Sequence, residues 1–350
     1  MIDMENKAAF LNCTGTSLAI QHAPFPRPEA HEVLIRNHAI AINPVDYKIQ
    51  DTGVLVRKWP YVLGEDIAGE VIEVGSAVTS LQKGDRVAAF AINIVTQNQA
   101  NAGFQLYTTT PASMAVRIPD SVDFTDAVVL PLGLATATGA LFSREYLGIA
   151  PPQASLPVPT GSKDKVILIW GGSSSVGSCA VQLCAAAGLT VLTTSSTKNY
   201  VYAKDIGAAE TFDYNDDEVV DKLVKATRGK EVVGAYDAIS SEASLAACVN
   251  FLYAVGGGKL SLTLAGTKLP DMPESVKAVA GRPPLQGPDG GEPIWRQVWK
   301  DFLETGLQNG KLKAKPDAHI LKGGLERLQE GLDLVRKGVS AKKIVVDLAE

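Results

Sequence analysis

The stretch Val166–Lys198 constrains the fold more than any other part of the chain. It opens on a continuous apolar run, Val166–Trp170, crosses a turn of small residues, continues as a helix-like segment to Gly188 and ends in a second apolar run. A short β-branched run without polar alternation suits a parallel strand covered on both faces. The order strand, turn, helix, strand is a βαβ unit, and Gly171, Gly172 and Gly177 stand in its first turn. Glycine there lets the backbone approach a pyrophosphate, whose charge suits the helix N-terminus that follows. The spacing departs from G-x-G-x-x-G, because Ser173, Ser174 and Ser175 fill the middle. Alone, the turn is weak evidence, and a plain Gly/Ser loop is the alternative. Between two buried strands it reads as a dinucleotide site holding Gly172, Ser174, Ser175, Val176 and Gly177.

The end of the second strand bears on which dinucleotide. In an NAD site an acidic residue about 20 positions beyond the glycines bonds the ribose hydroxyls. Here that place holds Thr194, Ser195, Ser196, Thr197 and Lys198, with no carboxylate. Nothing repels a 2′-phosphate, and hydroxyls with one ammonium can hold it by charge-assisted hydrogen bonds. NADPH is the expected cofactor, and a solvated polar loop is the alternative.

The chain as a whole narrows the function class. Its 350 residues exceed what one core comfortably fills, so two domains are expected. The net charge of −5, from 33 basic and 38 acidic residues interspersed, offers no basic field to nucleic acid or an anionic membrane. A small-molecule ligand is expected instead. The uncharged run Val166–Thr197 has the length of a membrane span, but its Gly/Ser cluster and change of period argue against one apolar helix. Met1–Lys7 lacks the apolar core of a signal peptide, so a cytoplasmic location is expected. Cys13, Cys179, Cys184 and Cys248 form no C-x-x-C pair and have no clustered His partners, so neither a zinc site nor a disulfide framework is expected.

Residues 1–125 read as short strands between Gly, Pro and charged turns, with Val33–Ile35, Val71–Val74 and Arg86–Phe90 as clear candidates. After the apolar run His38–Ile42 comes Asn43-Pro44-Val45-Asp46-Tyr47-Lys48, whose Pro is expected to end the strand and set an acid, a phenol and an amine on a loop. Further on lie Gly64-Glu65-Asp66-Ile67-Ala68-Gly69-Glu70-Val71, Gly84-Asp85-Arg86-Val87, Leu130-Pro131 and Thr136-Ala137. With the Gly turn and the end of the chain, these six features in this order resemble the medium-chain dehydrogenase/reductase superfamily over nearly the whole length.

Zinc-dependent members of that superfamily carry a Cys near Asn43–Tyr47 and a His beside the glutamate near Gly64, where this chain has Asp46 and Leu63-Gly64-Glu65-Asp66. It also lacks the four-Cys structural lobe, so the resemblance is to the zinc-independent quinone-reductase and enoyl-reductase branch, with no metal. Trp170-Gly171-Gly172-Ser173, Ser196–Tyr200, Phe212-Asp213-Tyr214, Leu334–Gly338 and Lys343–Val346 are most similar to the fungal trans-acting enoyl reductases. That resemblance implies an α/β fold: a doubly wound parallel Rossmann domain plus a β-rich GroES-like catalytic domain. It implies reduction by NADPH of an α,β-unsaturated thioester carried by a separate polyketide synthase, hence a transient acyl-carrier partner. It also implies cofactor contacts from Val45, Asp46, Tyr47, Lys48, Thr136, Ser196, Thr197, Lys198, Asn199, Tyr214, Leu262, Thr263, Val339 and Ser340. Ala137, Thr138, Leu141 and Phe142 would line the acyl pocket, although Leu141 and Phe142 also suit an ordinary packing helix.

The expected division is 1–128 for the GroES-like domain, 129–290 for the NADPH-binding domain and 291–350 for a return to the first. Residues 126–149 read as a helical segment with Pro131 near its start, and Pro151–Gly161 as a loop. Later strands are expected at Glu210–Phe212, Gly234–Ile239 and Leu260–Leu264, with helices at Asp217–Thr227 and Glu242–Leu252 between them. Residues 265–294 read as irregular. Trp295, Val298, Trp299, Phe302 and Leu303 recur at helical spacing and are expected to form a buried face. Leu325–Lys337 follows as an amphipathic helix and Ile344–Leu348 as a closing strand.

Lys48 is the catalytic candidate: its ammonium can orient the cofactor ribose, polarise the thioester carbonyl or feed a proton chain. A surface lysine without a role is the alternative. Tyr47 is a second candidate donor and equally a packing residue. Two other functions remain open, a quinone or enone reductase on free small molecules and a cofactor-binding module without turnover.

Overall fold

The structure is a computed structural model that describes residues 5–153, 164–264, 269, 271–280 and 293–349. Its strands run in chain order as β1 Asn6–Leu11, β2 Ala19–Ala23, β3 Glu32–Ala41, β4 Tyr61–Val62, β5 Asp66–Val74, β6 Arg86–Phe90, β7 Tyr107–Pro111 and β8 Ala115–Arg117. Then come β9 Lys165–Trp170, β10 Thr190–Ser195, β11 Glu210–Asp213, β12 Glu231–Asp237, β13 Gly258–Leu262, β14 Val276–Ala280, β15 Asp317–Lys322 and β16 Lys342–Asp347. They fall into two compact units, Met1–Leu132 with Asp317–Glu350, and Gly133–Gln286 with Gly291–Pro316. The return to the first unit comes at Asp317, later than the 291 read from the sequence, because the helical run from Pro293 to Asn309 lies within the second unit.

The first unit is built on a mixed sheet ordered β15-β16-β3-β5-β6-β8, with β7 also on β3, and a smaller sheet β2-β1-β4. Strand β3 is its centre, antiparallel to β5, β7 and β16. Val33, Leu34, Ile35, Ile40 and Ala41 are buried, so β3 packs on both faces. The closing strand expected at Ile344–Leu348 is β16, which sets Val345 opposite Ala41 of β3.

One expectation fails here. Asn43–Lys48 is not a loop: the chain enters a helix at Pro44 and leaves it at Thr52. Proline is favourable at the first helical position, where its missing N–H is not needed. Asn43 precedes it as N-cap, and Asp46, three residues on, accepts the Asn43 amide at 2.7 Å. That reciprocal pattern starts a helix where Pro44 alone suggests a break.

The second unit is a parallel six-stranded sheet in the order β11-β10-β9-β12-β13-β14. Val166, Ile167, Leu168 and Ile169 of β9 are all buried, as a central parallel strand requires. The helix Ser175–Ala186 covers one face with small residues, Cys179, Ala180 and Cys184 among them, and all four cysteines are free. β14 is the second correction. Residues 276–280 lie in a stretch read as irregular, where proline and glycine outweigh a five-residue strand. Pro151–Gly161 lies largely outside the described residues. The helix expected near 126–149 is Pro131–Phe142, preceded by the short Phe124–Ala127. The run Phe124–Phe142 is long and apolar enough to cross a membrane by length and composition, and it is mostly buried inside the protein. Trp295, Val298, Trp299, Phe302 and Leu303 form the expected buried face, with the two indoles stacked at 4.5 Å. The segment Arg296–Leu303 within it is π-helical.

Candidate functional site

In the first unit the candidates gather on the 44–52 helix, and a buried polar cluster fixes its start. Asp46 accepts the amides of Asn43 and, at 3.1 Å, of Gly64. Asn43 donates through Nδ2 to Asp66 Oδ2 at 2.8 Å and accepts on Oδ1 from Lys343 Nζ. Lys343, 3% exposed, pairs at 2.9 Å with Asp66, which is fully buried. The other Asp66 oxygen accepts the Leu132 amide at 2.6 Å, near the start of the 131–142 helix. One carboxylate thus ties together, within the first unit, the cap of the helix bearing Lys48, the strand following Val339 and Ser340, and Leu132.

Tyr47 is half-buried, and its ring lies 5.6 Å from the Arg336 guanidinium carbon. Arg336 itself grips Asp51 with two hydrogen bonds, of 3.1 and 2.8 Å, and bonds Gln50 at 2.7 Å and Asp333 at 2.6 Å. The helices Pro44–Thr52 and Leu328–Lys337 are therefore strapped together. The second of them leads into Val339 and Ser340, both exposed. Lys48 is half-buried, and among the described residues its ammonium has no hydrogen-bonding or ionic partner.

In the second unit the Gly turn has the shape of a cradle. Gly171 has φ 82°, and a Cβ on Gly172 would lie 2.1 Å from Thr193 Oγ1. A Cβ on Gly177 would lie 2.1 Å from the Gly171 carbonyl oxygen. Ser174 caps the 175–186 helix by accepting the Gly177 amide at 3.0 Å. The amides of Ser175 and Val176, at its first two positions, are of the kind a helix cannot bond internally. Ser175 Oγ is buried without a partner among the described residues. These groups fit a pyrophosphate.

The loop after β10 is joined to this cradle. Asn199 donates from Nδ2 to Ser196 Oγ at 3.1 Å and to Ser173 Oγ at 3.4 Å. Thr197 and Lys198 remain exposed. In register, Ser195 lies opposite Asp213, which brings Tyr214 beside Ser196 at the ends of neighbouring strands. At the ends of β12 and β13, Ser240, with φ 58°, is held by its amide on Asp237. Its hydroxyl accepts the Thr263 amide, while Thr263 Oγ1 meets the Tyr236 hydroxyl at 2.8 Å. Leu262 and Thr263 are thereby fixed at the C-terminal edge, where a doubly wound sheet binds ligands. On the 131–142 helix Thr136, Ala137, Thr138, Leu141 and Phe142 are all buried, and Thr138 Oγ1 has no partner among the described residues.

Sequence reasoning did not single out Asn43, Glu65, Asp66, Lys343 or Arg336 as functional. The Asn43–Asp46 spacing was a local signal for the first. The others meet only through the fold.

A metal ion does not fit the polar cluster. An ammonium already occupies it, both Asp66 oxygens are bonded to donors, and among the described residues no three His, Cys, Asp or Glu side chains converge as ligands. Its electrostatics instead favour a retained proton. Burial, reinforced by the neighbouring Asp46 charge, pushes Glu65 well above the carboxylate range, and burial pushes Asp46 up to about 6. An unfolded glutamate ionises near pH 4.3, roughly, so above that pH the folded state binds more protons than the unfolded one. Stability is expected to be fully present below that value and to fall as pH rises through the folded values of this pair. Glu65→Gln, which keeps a neutral side chain at all pH, should flatten the slope of urea-unfolding stability between pH 4.5 and 7.5. Parallel slopes for both proteins would refute the retained proton.

Comparison with known proteins places the chain among oxidoreductase relatives. A family model described as alcohol dehydrogenase GroES-like domain matches residues 29–120, and one described as zinc-binding dehydrogenase matches residues 175–301. The chain is 38% identical to dehydrogenase orsE of Emericella nidulans, over 98% of this chain and 99% of that one. It is also 38% identical to trans-enoyl reductase himH of Aspergillus japonicus, over 91% of this chain and 90% of that one. In fold it is similar to a quinone oxidoreductase of Pseudomonas syringae, with a TM-score of 0.74 and 22% identity over 98% and 100% of the two chains.

Proposed function

The chain belongs to the medium-chain dehydrogenase/reductase superfamily, which makes it an oxidoreductase using a nicotinamide cofactor, and we propose that it is an NADPH-dependent trans-acting enoyl reductase. Its substrate is the α,β-unsaturated thioester of a polyketide intermediate on a separate synthase. The observation that carries this reading is the likeness to himH across nine-tenths of both chains, joined to an acid-free loop beside the phosphate cradle.

A nicotinamide cofactor held here would supply the hydride that the β-carbon receives. The chain's own groups do the rest. The amides of Ser175 and Val176 hold the pyrophosphate, while Ser196, Thr197 and Lys198 hold the 2′-phosphate, with Asn199 keeping that loop against the cradle and Tyr214 beside it. Thr136, Leu262 and Thr263 position the nicotinamide end. The acyl chain lies along Ala137, Thr138, Leu141 and Phe142. Lys48 stabilises negative charge on the thioester oxygen as the enolate forms, and it or Tyr47 relays the proton that reaches the α-carbon.

Two measurements test this reading. A charge-assisted phosphate contact is worth about 1.5–3 kcal/mol, so NADPH should bind about tenfold or more tighter than NADH. Equal dissociation constants in a titration would remove the phosphate site from Ser196–Lys198. The reaction class is read from NADPH absorbance with an enoyl thioester, with a quinone and with neither. Rapid oxidation with the thioester is expected. Preference for a free quinone would assign the chain to small-molecule reduction, and binding without turnover would make it a cofactor-binding module.

A further inference from the structure

After the 44–52 helix the chain makes a hydrogen-bonded turn, the Val56 amide donating to the Gly53 carbonyl at 3.2 Å, and its third position carries a leucine where glycine is usual. Leu55 has φ 70°, a left-handed conformation that a bulky side chain rarely adopts. A residue distant in sequence braces that turn. Gln97, itself at φ 57°, donates from Nε2 to the Leu55 carbonyl at 3.1 Å and accepts the Arg57 amide on Oε1 at 3.0 Å. The same Nε2 also reaches the Ile94 carbonyl at 3.2 Å, so the loop is pinned to the short helix Asn93–Thr96.

Val56 packs against the core, while the two central residues of the turn stay outside it. Leu55 is 51% exposed, Val54 48%, and Val95, on the helix to which the loop is tied, 47%. Specific hydrogen bonds thus keep a disfavoured backbone in place while apolar side chains face water, which is the pattern of a surface built for contact. Beside them stand Arg57 and Lys58, both exposed and without an ionic partner among the described residues. No acidic residue occurs from Gly53 to Tyr61, in a chain whose net charge is −5.

We propose that Val54, Leu55, Arg57 and Lys58, with Val95, form the surface on which an acyl-carrier domain docks. The proposal rests on the trans-acting reading above. Charge complementarity selects the occupant: a carrier presents an anionic phosphodiester where its phosphopantetheine arm joins the protein. Arg57 and Lys58 answer that charge. Leu55 and the two valines supply an apolar contact small enough for a complex that must part after each turnover. The loop also begins directly after the helix bearing Lys48, so the arm's root and the candidate catalytic amine belong to one continuous segment.

The test offers the same enoyl group on a small thiol and on an isolated holo-carrier domain, and measures kcat/KM for each. Arg57→Glu with Lys58→Glu reverses the charge. Leu55→Asn removes the apolar contact while placing a residue that tolerates the left-handed backbone, so its melting temperature should hold or rise. Both variants are expected to lose at least tenfold on the carrier-bound substrate and less than twofold on the small thioester. Unchanged activity on the carrier, or equal loss on both substrates, would overturn the docking surface while leaving the reductase reading intact. A wild-type protein that reduces neither thioester would overturn the reductase reading and this proposal with it. Dimerisation of the wild type abolished by Leu55→Asn would assign the patch to a second copy of the chain and overturn the carrier.

Discussion

Lys48→Ala is expected to lower kcat/KM for an enoyl thioester about 100-fold or more, in line with loss of a positioned electrostatic or acid–base group. The reason is the contrast among the cations around the 44–52 helix. Lys343 is committed to Asp66 and Asn43, and Arg336 to Asp51, Gln50 and Asp333. Lys48 alone among these three keeps an uncommitted ammonium, on a helix whose start is locked by Asn43, Asp46 and Gly64. A rigid support bearing a charge that no carboxylate neutralises suits transition-state stabilisation, since no partner competes for it as the enolate forms. The same freedom means that removal disturbs little else, and stability should change by less than about 0.5 kcal/mol. Single-turnover reduction and thermal unfolding, measured on one preparation, separate the two effects. Near-normal rates in a folded variant would return Lys48 to the surface.

The parts legible in the sequence were those with local causes. Val166–Trp170 had to be a covered strand because every residue in it is apolar, and the Gly171–Gly177 turn followed from its neighbours. The buried indole face at Trp295–Trp299 followed from its spacing. The 44–52 helix is also local in cause, but Pro44 reads as a strand terminator and masks the capping signal from Asn43 to Asp46. Strand β14 was hidden by composition, since a five-residue strand cannot outweigh the prolines and glycines around it. The meeting of Asn43, Asp66 and Lys343 had no local signature at all. It exists because β16 returns beside β3 at the end of the chain, and sheet order is set by non-local pairing. The outward Leu55 was illegible for a different reason, because it occupies the third position of a turn that Gln97, far away in the sequence, braces against the leucine's own preference.

Asp66→Asn is expected to destabilise the protein by about 3–5 kcal/mol, the usual consequence of leaving one member of a buried ion pair unpaired. The geometry explains why a substitution of one atom matters. Asp66 Oδ2 receives hydrogen bonds from Asn43 Nδ2 and Lys343 Nζ, two donors aimed at one acceptor. An amide nitrogen there would face both with a third donor, and rotation to avoid them would turn the nitrogen on the Leu132 amide instead. Lys343→Met should cost less, because Asp66 would retain its bonds from Asn43 and Leu132. Removing both charges together, in Asp66→Asn with Lys343→Met, should recover most of the loss of the single Asp66 variant, giving a coupling of about 1 kcal/mol or more. The recovered fold should still be a poorer catalyst, since Asn43 loses both its charged partners and the start of the Lys48 helix is then held by Asp46 alone. Denaturant unfolding of the four proteins supplies the coupling, and their kcat values at saturating cofactor supply the positioning effect. If the Asp66 variant unfolds within about 1 kcal/mol of wild type, or if the double variant regains full kcat, the cluster is neither the anchor of the fold nor the support of Lys48.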